Sequence, residues 1–341
     1  MTRISDVAQR ANVSSATVSR ALSGDIHVDS VTRQRVLDSA AALDYRLDGT
    51  ARAMRRRRSD LIGLVISTIE NPFFTEVAHA AEHAAQQRGY SLIICNTDED
   101  PVEEQRYLNL LDTLLASGVI LAPAPGTSLY LHRFIGGRLP IVLINRTLEL
   151  PFPSVVCDDE DAAYECTSLL AQRGAKRIGA VTGLPDTSTT HNRLRGYHRA
   201  LADAGLASES QWEIFGGATV QGGYRAAQRL MSNGHAPDAL LCFNNVMTQG
   251  GVMALMDMGM RWPDDVDIAG FGVFSTARLY RPPLTLVSQP THEMGRRAVE
   301  MILDHPVQAA PAPVILQNRV VQSNAWPADN VAMTSAAHNI N

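Results

Sequence analysis

The stretch Ile4-Ser5-Asp6-Val7-Ala8-Gln9-Arg10-Ala11-Asn12-Val13-Ser14-Ser15-Ala16-Thr17-Val18-Ser19-Arg20-Ala21-Leu22 carries two apolar stripes separated by a turn. Val7, Ala8 and Ala11 recur at i, i+1 and i+4, and Val18 and Leu22 repeat the i, i+4 spacing, so two short helices are expected. Asn12-Val13-Ser14 supplies the turn, and Ser5 and Ser14 stand where side-chain oxygens cap helix N-termini. The outward face of the second helix then holds Ser15, Ala16, Thr17, Ser19 and Arg20. These are small side chains, mostly hydroxyls, with one guanidinium, the types that meet base edges and phosphates of DNA. A helical hairpin packed into a larger core is the alternative. The surrounding charge opposes it: residues 1–58 hold 11 Arg and 6 Asp, a net +5, while the whole chain is −5, so residues 59–341 carry −10. A basic head on an acidic body is the electrostatic footprint of a segment that seeks phosphate.

At 341 residues the chain suits two or three domains, and 45% hydrophobic with 19% charged residues describes an ordinary globular protein. No apolar run reaches membrane-spanning length and the N-terminus carries no signal-peptide core, so a cytoplasmic protein is expected. Cys95, Cys157, Cys166 and Cys242 lack metal or disulfide spacing and read as small buried hydrophobes; no metal or cofactor is expected.

A third helix is expected over 31–43, followed by a linker that ends in Arg55-Arg56-Arg57-Arg58. From Leu61 onward, β-branched runs alternate with amphipathic stretches. Strands are expected over 61–67, 90–96, 119–122, 141–145, 155–158, 178–182, 239–243, 268–272 and 284–289. Helices are expected over 74–88, 102–116, 161–173, 192–204, 223–233, 246–258 and 292–304. Such alternation implies parallel sheets covered on both faces. Gly89, Gly118, Gly174, Gly205 and Gly259 fall where helices need a left-handed cap. About 265 residues of α/β exceed one ordinary domain, so two doubly wound subdomains follow an all-α head. The expected division is 1–46 head, 47–59 linker, 60–326 two-lobed core and 327–341 disordered tail.

The opening segment resembles the headpiece of the lactose-repressor/galactose-repressor (LacI/GalR) family of bacterial transcription regulators. The shared pattern is met at Asp6, Val7, Ala8, Ala11, Val13, Ser14 and Thr17-Val18-Ser19-Arg20, then at Thr32-Arg33, Val36 and Leu43-Asp44-Tyr45. The likeness extends to about Ser323. It implies a core like a periplasmic sugar-binding protein, with the chain crossing between lobes near Asp158, Ser288 and Ser323. It also implies a homodimer on double-stranded operator DNA, controlled by a small carbohydrate-type effector.

On the resemblance, Ser15 and Ala16 read bases with Arg20 as the third, and Thr17 and Ser19 hold phosphates. An Arg fork on guanine is worth about 1–3 kcal/mol of discrimination. One head contacts few bases, so specificity requires a dimer on a near-palindromic site. Residues 50–55, including Ala51, Met54 and Arg55, match the family's hinge helix, with Met54 at the position of its intercalating leucine. Here Leu47-Asp48 replaces the usual Pro-Asn, and Gly49 lowers helix propensity.

Ligands of two-lobed α/β binders sit between lobes at strand C-termini. The candidates are Phe73 and Phe74 in Asn71-Pro72-Phe73-Phe74, then Asn145-Arg146, Thr187, Thr189, His191, Arg193, Asn244 and Gly272. The aromatics could equally close a core, and His191 could equally be solvated. Asn245 reads as a helix cap. The resemblance gives Arg193 the grip on effector oxygens. Asn145, Asn245 and Gly272 replace common aspartates, and Ala218 replaces an aromatic platform. Few carboxylates beside Arg146, His191 and Arg193 predict an electropositive cleft and an anionic effector, a sugar acid or sugar phosphate.

Three rival readings remain. An enzyme is opposed by Thr182-Gly183-Leu184-Pro185-Asp186, which lacks phosphate-cradle glycines, and by a single lysine, Lys176. A periplasmic receptor is opposed by the basic head. A non-specific architectural protein is opposed by the acidic, cleft-bearing body.

Overall fold

Between Ser59 and Asp60 the chain divides into two units. The structure, a computed structural model, describes residues 2–22, 26–45, 57–232, 234–272, 275–304 and 312–324. The first unit holds α1 (Ile4–Ala11), α2 (Ser15–Leu22) and α3 (Ser30–Ala42). Their core is Val7, Ala11, Val18 and Val36, all fully buried. Ala21 joins Val18 in that core while Leu22 packs at its edge, so the stripe of α2 is i, i+3 rather than i, i+4.

Asn12 ends α1 in the left-handed conformation (φ 51°), which its short polar side chain tolerates. Ser14 caps α2, its Oγ accepting from the Thr17 N–H at 3.1 Å. Ser5 is not a cap: it lies inside the first turn of α1, exposed. Arg3 holds the cap position, and its N–H donates to the Asp6 carboxylate at 2.8 Å. The acid three residues into the helix does the work expected of the serine.

The second unit begins with β1 (Leu61–Ile66), α4 (Pro72–Gln86), β2 (Ser91–Asn96), α5 (Pro101–Thr113) and β3 (Gly118–Leu121). It continues through α6 (Ser128–Leu131), β4 (Ile141–Ile144) and β5 (Ser154–Cys157). Then come α7 (Asp159–Gln172), β6 (Ile178–Thr182), α8 (Ser188–Asp203), β7 (Glu213–Phe215), α9 (Val220–Met231), β8 (Ala239–Cys242) and α10 (Asn245–Asp257). The last elements are β9 (Asp267–Phe271), β10 (Thr285–Ser288), α11 (Thr291–Asp304), β11 (Val314–Leu316) and β12 (Arg319–Gln322).

The strands form two six-stranded sheets, ordered β11-β5-β4-β3-β1-β2 and β12-β10-β9-β8-β6-β7. Every pairing is parallel except β10 with β12. The two doubly wound lobes expected from strand–helix alternation are therefore present. Central strands read as unbroken apolar runs because both faces are covered: β3, β4 and β8 are buried at every residue.

The chain crosses between sheets at Cys157–Asp159, at Ser288–Thr291 and between Leu316 and Arg319. The third crossing lies a few residues before the expected Ser323, because two short strands, β11 and β12, flank it. Helices start earlier than apolar periodicity suggests. Asn71 and Asp100 cap α4 and α5 just ahead of Pro72 and Pro101, and proline is tolerated at the first helical position. Gly89, Gly174, Gly205 and Gly259 are left-handed, as expected of helix ends. Gly118 is not. It opens β3, where an added Cβ would meet Ile302 Cγ2 at 2.4 Å, and Leu115 (φ 55°) makes the turn instead.

Candidate functional site

On the head, Ser15, Ala16 and Arg20 are exposed on one side of α2, with Thr17 and Ser19 half-buried. Ser14 and Thr17 hydroxyls lie 2.9 Å apart. The hinge candidates Ala51, Met54 and Arg55 lie outside the described residues.

In the core, a cavity of about 670 Å³ opens between the lobes, at the strand C-termini. Phe73, Phe74, Asn145, Arg146, Thr187, Thr189, Arg193 and Asn244 all line it. Phe73 and Phe74 are also buried, with rings edge to face at 5.0 Å, so they close the lobe's core and face the cavity together. Asn71 caps α4 and aims that pair, its Oδ1 accepting from the Phe73 N–H at 3.0 Å.

Asn145 leaves β4 in the left-handed region (φ 65°), and the Arg146 N–H donates to the Ile144 carbonyl across it at 2.6 Å. That tight turn sends Arg146 toward Glu99, which accepts from Nη1 at 2.7 Å and from Nη2 at 2.6 Å. Nη1 also donates to the Pro123 carbonyl at 2.8 Å. In the other lobe, Thr187 caps α8 and so places Arg193. Arg193 Nη2 donates to Asp159 at 2.9 Å, Nη1 donates to the Phe243 carbonyl, and the guanidinium lies 4.0 Å over the Phe271 ring. Burial pushes the Asp159 carboxyl upward and Arg193 opposes it. Across the cleft, the Thr147 N–H donates to Ser188 Oγ at 2.9 Å.

Both arginines are thus already paired, and Glu70, Asp98 and Glu99 line the same cavity. The electropositive cleft expected from Arg146, His191 and Arg193 is not what the side chains build. Carboxylates from the loop after β2 and from the start of α7 neutralise it. His191 faces outward, exposed and away from the cavity lining. Gly272 is buried behind Asn245 rather than on the cavity wall. It is left-handed (φ 88°), and an added Cβ would meet Asn245 Cβ at 2.4 Å.

The two asparagines do not divide the roles as expected. Asn244 is the cap of α10, accepting from the Met247 N–H at 2.8 Å. Asn245, 2% exposed overall, lines the cavity too. Both Arg146 Nε and Arg193 Nε are buried donors without an acceptor among the described residues. Glu99, Gln249 and Gln289 were not among the candidates. Glu99 follows a strand, the same positional signal that marks Asn145.

Residues 3–48 match the family of bacterial regulatory proteins, lacI family, and residues 59–324 match the periplasmic binding proteins and sugar-binding domain of the LacI family. The HTH-type transcriptional repressor PurR of Aliivibrio salmonicida is 30% identical over 306 residues, covering 89% of this chain and 92% of that protein. The same-named repressor of Mannheimia succiniciproducens is 31% identical over 308 residues, with coverage of 89% and 92%. Among solved structures, a transcriptional regulator CelR–cellobiose complex aligns with TM-score 0.70 and 25% identity, covering 95% of this chain and all (100%) of that one. The lac repressor dimer bound to operator and the anti-inducer ONPF shares the fold with TM-score 0.83, at 23% identity and coverage of 95% and 98%. These relatives are named as transcriptional repressors or regulators, not as enzymes. With a helix-turn-helix head and a two-lobed core matched along nearly its whole length, the chain belongs to the LacI family of ligand-responsive, DNA-binding transcriptional repressors.

Proposed function

We propose that two copies of this repressor hold the halves of a near-palindromic operator in the cytoplasm, and that an uncharged carbohydrate between the lobes alters that grip. The observation that carries the effector class is the pairing of both cleft arginines with carboxylates. An anion would have to displace Glu99 or Asp159, and leaving a buried Asp159 unpaired costs about 3–5 kcal/mol. With both guanidinium forks engaged, hydroxyl and amide side chains are the donors that can meet a sugar's hydroxyl or ring oxygens. Threonine, asparagine and glutamine side chains supply the rest of the polar lining. The cellobiose held by one structural neighbour is of the same class. This reading replaces the sugar acid or sugar phosphate that the residue types alone suggested.

Ser15, Ala16 and Arg20 would read base edges, Ser14, Thr17 and Ser19 would hold phosphates, and Met54, flanked by Ala51 and Arg55, would wedge the central step. The dimer is supported by apolar side chains left in solvent on both lobes: Ile69 and Ile94 flank one shallow depression, and Met253, Met256 and Leu279 are exposed on the second lobe.

Thermal unfolding against neutral sugars, sugar acids, sugar phosphates and purines tests the effector class. A ligand at about 100 times its Kd adds about 2.7 kcal/mol, a readable shift. Neutral sugars alone are expected to raise Tm. A shift confined to acids or phosphates would overturn the assignment.

A further inference from the structure

Thr187-Ser188-Thr189-Thr190 brings four hydroxyls in a row to the start of α8, and three of them bond within their own lobe. Thr187 Oγ caps the helix, accepting from the Thr190 N–H at 3.4 Å and donating to the Leu184 carbonyl at 2.8 Å. Thr189 Oγ donates to Thr187 Oγ at 3.2 Å, and Thr190 Oγ lies 3.0 Å from it. With the cap supplied by Thr187, the side chain of the first helical residue is not needed by the helix. Ser188 Oγ instead accepts from the Thr147 N–H of the other lobe at 2.9 Å. The backbone aims that donor. The chain turns sharply at Asn145 (φ 65°), where the Arg146 N–H returns to the Ile144 carbonyl, and the next N–H is the one that reaches Ser188.

Both ends of this bond adjoin the cavity. Asn145 and Arg146 line one wall, and Thr187, Thr189 and Arg193 line the other. The charged contacts of each wall are internal to its lobe. Arg146 holds Glu99 and the Pro123 carbonyl, and Arg193 holds Asp159 and the Phe243 carbonyl. Such contacts stiffen a wall without fixing its distance from the opposite one. The Thr147–Ser188 bond does fix it.

We propose that the Ser188 hydroxyl clasps the two lobes at the spacing that accepts the effector, which makes Ser188 a positioning residue for ligand binding. With the clasp made, a cavity of about 670 Å³ remains between the walls, so the clasped arrangement leaves room for a ligand. A sugar touching both walls then finds them already spaced, and less lobe motion is lost on binding. Ser188 and Thr147 are both half-buried, where a neutral hydrogen bond has its ordinary, modest strength. That strength biases two lobe arrangements without locking either, as a ligand-responsive core requires. The step from lobe spacing to sugar rests on the cleft being the effector site; the clasp between the lobes does not.

Ser188→Ala removes the acceptor and keeps both the Thr187 cap and a good helix former in the first turn. The variant is expected to fold, with its unliganded Tm lowered by no more than about 2–4 °C. Hydrogen–deuterium exchange of the unliganded protein is expected to show the Thr147 amide exchanging roughly 2–12-fold faster, the factor that one neutral hydrogen bond contributes. The neutral sugar that raises the wild-type Tm is expected to bind the variant roughly 2–12-fold more weakly. Ser188→Thr, which keeps the hydroxyl, is expected to restore both values. A side chain that merely filled the helix start would move Tm and leave both readings alone. A Thr147 amide that exchanges no faster in Ser188→Ala would overturn the clasp. Faster exchange with an unchanged sugar Kd would overturn the positioning role. If no neutral sugar binds the wild type, the effector class fails, and the exchange measurement alone decides the clasp.

Discussion

Asp98, Glu99, Asn145 and Ala218 hold left-handed backbone angles without being glycine, and all four line the cleft. Such conformations cost on the order of 1–3 kcal/mol each and persist only where surrounding contacts over-determine them. Here the contacts are visible: Asn96 donates to Asp98 at 2.8 Å, and Glu99 takes both ends of the Arg146 fork. Asn145→Val, which puts a β-branched residue in that region, should cost about 1–3 kcal/mol in urea unfolding and loosen Arg146. Arg193→Ala should cost about 3–5 kcal/mol because it strands the buried Asp159, so any loss of ligand response in that variant must be read against its stability. Arg193 could be picked out from its match to the family's effector-gripping arginine, but its partner could not. Asp159 sits 34 residues earlier in the chain, and nothing local in Asp158-Asp159-Glu160-Asp161 says which carboxylate turns inward.

At the scale of elements, capping decides where function can sit. Both asparagines line the cavity, but Asn244 Oδ1 accepts from the Met247 N–H at 2.8 Å as the helix cap, while Asn245 Oδ1 accepts from the adjacent Val246 N–H at 3.0 Å. Asn244→Ala should lower stability by about 0.5–2 kcal/mol, the usual cost of a lost cap. Asn245→Ala should cost less stability and more sugar affinity; paired denaturation and binding measurements separate the two. Adjacent asparagines are indistinguishable by type, so only backbone geometry could assign these roles. The helices and central strands were legible because β3, β4 and β8 are continuous apolar runs and the helices show 3.6-residue stripes. β7, β11 and β12 were not, since strands of three or four residues at sheet edges bury too little to leave a pattern. Ser5 misled for a related reason: a serine near a helix start looks like a cap, but the helix already begins at Ile4, and Asp6 at its third position accepts the N–H of Arg3 at the cap.

For the whole molecule, the split between a +5 head and a −10 body keeps phosphate contact with the head. A single head reads few bases, so the second copy matters. Ile94→Asp should convert the proposed dimer to monomers by analytical ultracentrifugation and weaken operator binding, while leaving the monomer's fold intact because Ile94 is half-exposed (49%). Effector and operator then share one free-energy coupling, typically about 1–3 kcal/mol, and by linkage each must change the other's affinity equally. The measurement that tests this most directly uses an operator selected from random duplex DNA and the neutral sugar that raises Tm. Operator Kd is read with and without sugar, and sugar Kd with and without operator. The account predicts that both change by the same factor, roughly 5–150-fold. Sugar binding that leaves operator affinity unchanged would contradict it.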